Sequence, residues 1–227
     1  MTFEMAVHLT EILMAFAFIQ QSLEFLSTQK HLKHVMIARI LLCVLLIFGF
    51  QIPFALLGLF VIALIMLHQF QGPYNGGSDR MSLLLITGLF IINFVPTPWN
   101  EYVFGYIALQ LILSYFIAGW SKIINPDWRN GRALQDVFSF SIYPMSEKLR
   151  SLANHPRLLF IGGWVVMIFE LLFPLALINQ TTLVIALSLA AIFHLANAWL
   201  FGFNRFVWIW IAAYPSILWL QDRILGG

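Results

Sequence analysis

An all-α polytopic membrane protein, a bundle of about eight transmembrane helices in a single domain over 1–227, is the fold class this sequence predicts. Three observations predict it. Of its 227 residues, 61% are hydrophobic and only 10% are charged, where a soluble domain carries roughly 45–50% apolar and about 25% charged residues. The apolar residues gather into stretches of about 20. That is the length a helix needs to cross hydrocarbon while satisfying its backbone polar groups internally. The lysines and arginines fall almost entirely in alternate connections. This pattern excludes a soluble globular protein and a disordered chain. A formal charge of +2 without a basic run excludes a nucleic-acid binder. The lone cysteine, Cys43, sits in an apolar stretch, which excludes a disulfide framework and any cysteine-based metal centre.

The predicted spans are about 5–26, 35–51, 53–70, 81–97, 101–122, 158–178, 181–201 and 205–221. The second and third are divided at Gln51-Ile52-Pro53, because 35–70 is too long for one crossing and proline suits the first turn of a helix. The first span carries Glu11, Gln20, Gln21 and Glu24. It does not read as a signal peptide, because Glu4 stands where a basic segment belongs and no small-residue cleavage site follows. Assigning loops alternately to the two sides puts eleven lysines and arginines on one side and only Arg223 on the other. By the positive-inside rule both termini then lie outside the cytoplasm. The connection 123–157 is the one long non-spanning segment. Its Asn125-Pro126-Asp127-Trp128-Arg129-Asn130-Gly131 stretch is rich in turn formers, and short amphipathic helices are expected near 132–140 and 145–154.

Ionisable groups inside spans are expensive and are functional hypotheses by default. Glu170 falls in the middle of the sixth span, Lys122 ends the fifth, and His194 and Asn197 share a face of the seventh at i and i+3. Each also has a plainer reading. Lys122 can snorkel to the headgroups, His194 and Asn197 can bond across helices, and Glu170 can serve structure alone. His31 and His34 read as solvated histidines, and Glu4, His8 and Glu11 as a polar stripe, so no metal site is expected.

Two motifs carry a family resemblance. Tyr115-Phe116-Ile117-Ala118-Gly119-Trp120-Ser121-Lys122, with Asp127-Trp128 and Gly131, resembles the central motif of vitamin K-dependent γ-glutamyl carboxylases and of their bacterial relatives, the HTTM (horizontally transferred transmembrane) domain proteins. Phe193-His194-Leu195-Ala196-Asn197 resembles a second motif of the same family. Tyr74-Asn75-Gly76-Gly77-Ser78-Asp79 is a weaker match, and together they cover about 70–205. The resemblance implies an enzyme in which a reduced quinone of naphthoquinone type and oxygen generate a strong base. Lys122 would be the initiating base, aided by His194. Tyr115, Trp128, Asn197, Glu170, Asp79 and Arg132 would contact substrate or cofactor. It also implies a bacterial cytoplasmic membrane and a lipid-soluble or peptide substrate. The chain departs from the carboxylases in having Gly77 where they carry a histidine, and its 227 residues hold no counterpart of their lumenal domain. Two alternatives stay open. One is a non-catalytic membrane scaffold or lipid-binding subunit of a larger complex. The other is a haem b or quinol electron carrier, with His68 and His194 as axial ligands.

Overall fold

The structure, a computed structural model, describes residues 1–69, 77–140 and 145–226, and every regular element among them is helical. In chain order these are α1 (Phe3–Thr28), α2 (Lys33–Ile47), α3 (Ile52–Gln69), α4 (Gly77–Ile92), α5 (Trp99–Ile124), α6 (Pro126–Arg129), α7 (Arg132–Phe140), α8 (Glu147–Arg150), α9 (Pro156–Leu172), α10 (Gln180–Phe201) and α11 (Asn204–Leu225). Short 3₁₀ turns fill Lys30–Leu32, Ser151–Asn154 and Phe173–Ile178.

The helix ends follow local chemistry. Thr2 caps α1 by accepting from the Met5 amide, and Asn125 caps α6 with Pro126 in its first turn. Asn179 and Thr182 form a reciprocal capping box on α10. That helix closes on Gly202 at φ +74°, a left-handed conformation in which glycine carries no Cβ penalty. The α2–α3 break falls where the sequence places it. Gly49 (φ +66°) and Gln51 (φ +52°) turn the chain, and Pro53 enters the first turn of α3.

The helices differ in how well they suit a membrane crossing. A helix lies at each of the eight predicted stretches, but only four, Phe3–Thr28, Trp99–Ile124, Pro156–Ile178 and Gln180–Phe201, are long and apolar enough to cross a membrane. The other four helices fall short of the length or apolar character that this test of a crossing asks for. Length is the first reason. The 15 residues of α2 rise about 22 Å, and the 16 of α4 about 24 Å, short of ~30 Å of hydrocarbon. Composition is the second reason. The 22-residue α11 buries Ser216, Gln221, Trp210 and Tyr214 and holds Pro215 in its interior. It is built more like a core helix than like a lipid-facing one.

The chain divides into two compact units, Met1–Leu109 with Arg205–Gly227, and Gln110–Asn204. In the first, α1 packs on α2 and α4, α2 on α3, and α3 on α4. An aromatic cluster of Phe3, Phe104 and Trp219 holds ring centroids 5.4–5.8 Å apart. In the second unit α9 packs against α6 and α7, and Phe138, Met145, Leu159 and Phe201 form a buried cluster. Both short amphipathic elements expected in 123–157 are present, as α7 and as α8 with its 3₁₀ continuation.

Candidate functional site

The second unit holds seven of the eight site residues that the sequence predicts and brings five of them together. Tyr115 and Lys122 lie on α5 seven residues apart, two turns or about 10 Å along one helix face. Lys122 Nζ donates to both carboxylate oxygens of Glu170 on α9, at 2.8 Å to Oε1 and 2.6 Å to Oε2. The Lys122 side chain is 19% exposed and that of Glu170 is 4% exposed. A carboxylate so deep needs a compensating charge, because an isolated ion out of water is destabilised far more than any neutral group. Nζ also lies 5.4 Å from the centroid of the Trp128 ring, within cation–π range.

Gly119 makes this pair reachable. A Cβ at that position would lie 2.7 Å from the Leu171 amide nitrogen and 2.9 Å from Glu170 Cβ. Only glycine lets α5 and α9 approach closely enough for Lys122 to meet Glu170. Trp128 is set by α6 and by the turn at Gly131, whose φ of +83° favours glycine. A Cβ on Gly131 would come within 3.1 Å of Phe160 Cα. Trp164 on α9 donates through Nε1 to the Arg129 carbonyl at 3.2 Å, tying that turn to the helix that carries Glu170.

A second buried pair adjoins this one along α5. Tyr115 Oη and His194 Nε2 share a hydrogen bond of 2.9 Å. Tyr115 is stacked on Phe173 with centroids 4.0 Å apart, and Phe169 meets it edge-on at 6.2 Å. Phe169 and Phe173 flank Glu170 in sequence, so one stretch of α9 and its 3₁₀ continuation contacts both pairs. Asn197 follows His194 by one turn, half-buried.

The remaining predicted residues lie elsewhere. Arg132 is exposed and pairs with Asp136 at 3.4 Å. Asp79 belongs to the first unit, among Gln21, Ser78 and Arg205. It stands ahead of the apolar stretch that begins at 81. Burial raises its carboxyl above the usual carboxylate range, while Arg205 and Arg39 pull it back down. Gly77 abuts Phe206, whose ring would stand 3.3 Å from an added Cβ, so a histidine would not fit there without rearrangement. Tyr74, Asn75 and Gly76 of the weaker motif lie outside the described residues. His8 pairs with Glu11 at 3.4 Å, and Glu11 is buried rather than part of an exposed stripe. No group of three or more metal-binding side chains occurs among the described residues.

Sequence reasoning missed Gly119, Phe169 and Phe173 as parts of the site. For Gly119 a signal existed: a glycine one turn before a lysine in an apolar helix invites a close helix crossing. For the two phenylalanines nothing set them apart from the other 20 in the chain.

The profile of the HTTM domain family matches residues 92–221, more than half of the chain. No curated protein and no solved structure matches it.

Proposed function

The chain is an integral membrane protein of the HTTM domain family, and from that premise we propose that it is a membrane enzyme related to the vitamin K-dependent carboxylases. In this reading it abstracts a proton through Lys122, in chemistry coupled to a reduced membrane quinone. The observation that carries the proposal is the buried Lys122–Glu170 pair beside Trp128. A lysine acts as a base only after losing its own proton. Here the acceptor is in place, because Glu170 Oε2 sits 2.6 Å from Nζ. Transfer of that proton turns two buried charges into two neutral groups, which a low dielectric favours. The amine left behind is free to take a proton from a substrate.

The residues suit a quinone. Trp128 offers an aromatic face beside a cation, and Lys122 offers a donor for a carbonyl or quinol oxygen. When bound, the quinone would supply the redox half of the chemistry. This chain's residues would hold it, exclude water and manage the proton. His194, bonded to Tyr115, positions a second proton-active group on the same helix bundle. This reading sets the protein in a bacterial cytoplasmic membrane with both termini outside, the orientation that the loop charges favour when all eight helices cross. A peptide or lipid-soluble substrate fits that setting.

A second reading also has an observation in its favour. Glu170 already satisfies the Lys122 ammonium with two hydrogen bonds, as in a structural tie of a scaffold or lipid-binding subunit. The test is to purify wild-type and Lys122→Met protein in mild detergent, normalise for folded protein, and identify the extracted small molecules by mass spectrometry. Stoichiometric quinone in the wild type and its loss in Lys122→Met support the enzyme. Phospholipid alone in both, with Lys122→Met reduced in amount, sinks it in favour of the scaffold.

A further inference from the structure

The first unit contains a second polar cluster that the proposed function does not use. A small cavity there is lined by Phe18 and Gln21 of α1, Ser78, Asp79 and Ser82 of α4, and Arg205 of α11. Its volume is about 10 Å³, room for roughly one water-sized sphere. Gln21 is only 8% exposed, and among the described residues its amide takes part in no hydrogen bond. Asp79 and Arg205 each feel the other's charge, yet among the described residues no ion pair within 4.0 Å joins them. Apposed opposite charges that stop short of contact across a polar gap call for a bridging group.

The surrounding side chains explain why the gap stays open. The Arg205 guanidinium lies over the Phe25 ring, 4.3 Å from its centroid. Arg39, 6% exposed, lies over Phe18 at 4.1 Å. Ring stacking fixes both guanidinium planes and leaves their N–H edges to donate. Ser82 donates its own hydroxyl to the Ser78 carbonyl at 2.8 Å, and its oxygen keeps the capacity to accept. Arg39 and Arg205 are balanced by Asp79 and Glu24, so the cluster is neutral overall. Asp79 opposes an anion and the arginines oppose a cation. A neutral molecule of one heavy atom that both donates and accepts meets every condition.

We infer that this cavity binds one ordered water, which donates to the Asp79 carboxylate, accepts from Arg205 or Gln21, and thereby ties α1, α4 and α11 together as a water-bridged ion pair. It gives Asp79 an anchoring role within the first unit. The inference stands apart from the chemistry proposed for Lys122.

The experiment is a structure of the full chain in lipid nanodiscs at a resolution that shows waters, together with thermal unfolding of variants. One peak within hydrogen-bond reach of Asp79, Arg205 and Gln21 is expected. Asp79→Glu carries the carboxylate one methylene further, reaches Arg205 directly and expels the peak. Its midpoint should stay within about 2 °C of wild type, whereas Asp79→Asn and Gln21→Leu should each lose several degrees. A direct Asp79–Arg205 contact without a peak overturns the inference. A peak that acquires anomalous signal when chloride is replaced by bromide, or sodium by rubidium, marks an ion and overturns it too. Should Asp79→Asn fail to fold, Asp79→Glu still decides, since retained water or a midpoint far below wild type contradicts the bridge.

Discussion

Replacing Gly119 by alanine adds one methyl group at the place where α5 and α9 come closest. The new Cβ would stand 2.7 Å from the Leu171 backbone nitrogen, 2.9 Å from Glu170 Cβ and 3.0 Å from Leu171 Cγ. Ordinary contact lies near 3.5–4.0 Å, so the helices must part by on the order of 1 Å. The obstacle is backbone, which cannot rotate aside. Overpacking of this kind costs about 1–3 kcal/mol. The same movement stretches the 2.6 Å Lys122–Glu170 contact to the edge of hydrogen-bond range, so a total loss of about 2–4 kcal/mol is expected. Gly162→Ala is the matched control. It lies in α9 with nothing within 4 Å of an added Cβ, and there alanine gains up to ~1 kcal/mol of helix propensity. Reversible unfolding in graded denaturing detergent, followed by tryptophan fluorescence, compares the two. Equal stability of the Gly119 and Gly162 variants would refute the argument that α5–α9 contact at Gly119 holds the pair.

Glu170→Gln removes one partner of the buried pair and leaves the Lys122 ammonium facing a neutral amide. Breaking such a pair costs about 3–5 kcal/mol when both members are fully buried. Because Lys122 is 19% exposed, the same unfolding assay should show about 2–4 kcal/mol, with a smaller loss in Glu170→Gln combined with Lys122→Met. Tyr115→Phe keeps the ring stacked on Phe173 but deletes the bond to His194. It should cost about 1 kcal/mol, and a two-dimensional NMR spectrum of ring-labelled histidine should show the His194 signals move. Arg132→Ala breaks only an exposed pair with Asp136 and should leave the unfolding midpoint and quinone retention unchanged, since such pairs contribute little.

The helical class was readable because apolar stretches and low charge leave no other backbone solution in lipid. Even the α2–α3 break could be placed, since proline sets it locally. How many of the helices cross is less legible. A run of apolar residues looks the same whether it faces lipid or packs against neighbouring helices. The short α2 and α4, with buried Arg39 and Ser78, belong to a packed unit whose partners are distant in sequence. At the site, Lys122, Glu170, Trp128, Tyr115 and His194 were legible as types. Their partnerships were not, because the bond from Lys122 to Glu170 spans 48 residues and that from Tyr115 to His194 spans 79. Asp79 was grouped with Lys122 by motif order, yet its neighbours Gln21 and Arg205 sit far away at either end of the chain. Gly119 carried a signal in its place one turn before Lys122 in an apolar helix, but its partners Glu170 and Leu171 lie about 50 residues away and could not be named.

In the proposed chemistry Glu170 takes the proton from Lys122 when a reduced quinone is bound. Difference infrared spectroscopy tests it most directly, on wild-type and Glu170→Gln protein in nanodiscs with a reduced naphthoquinone added. A new protonated-carboxyl band is expected in the wild type, shifting in heavy water and missing from Glu170→Gln. An unchanged carboxylate band in wild-type protein shown to have bound the quinone would contradict it, leaving Lys122 and Glu170 as a permanent ion pair.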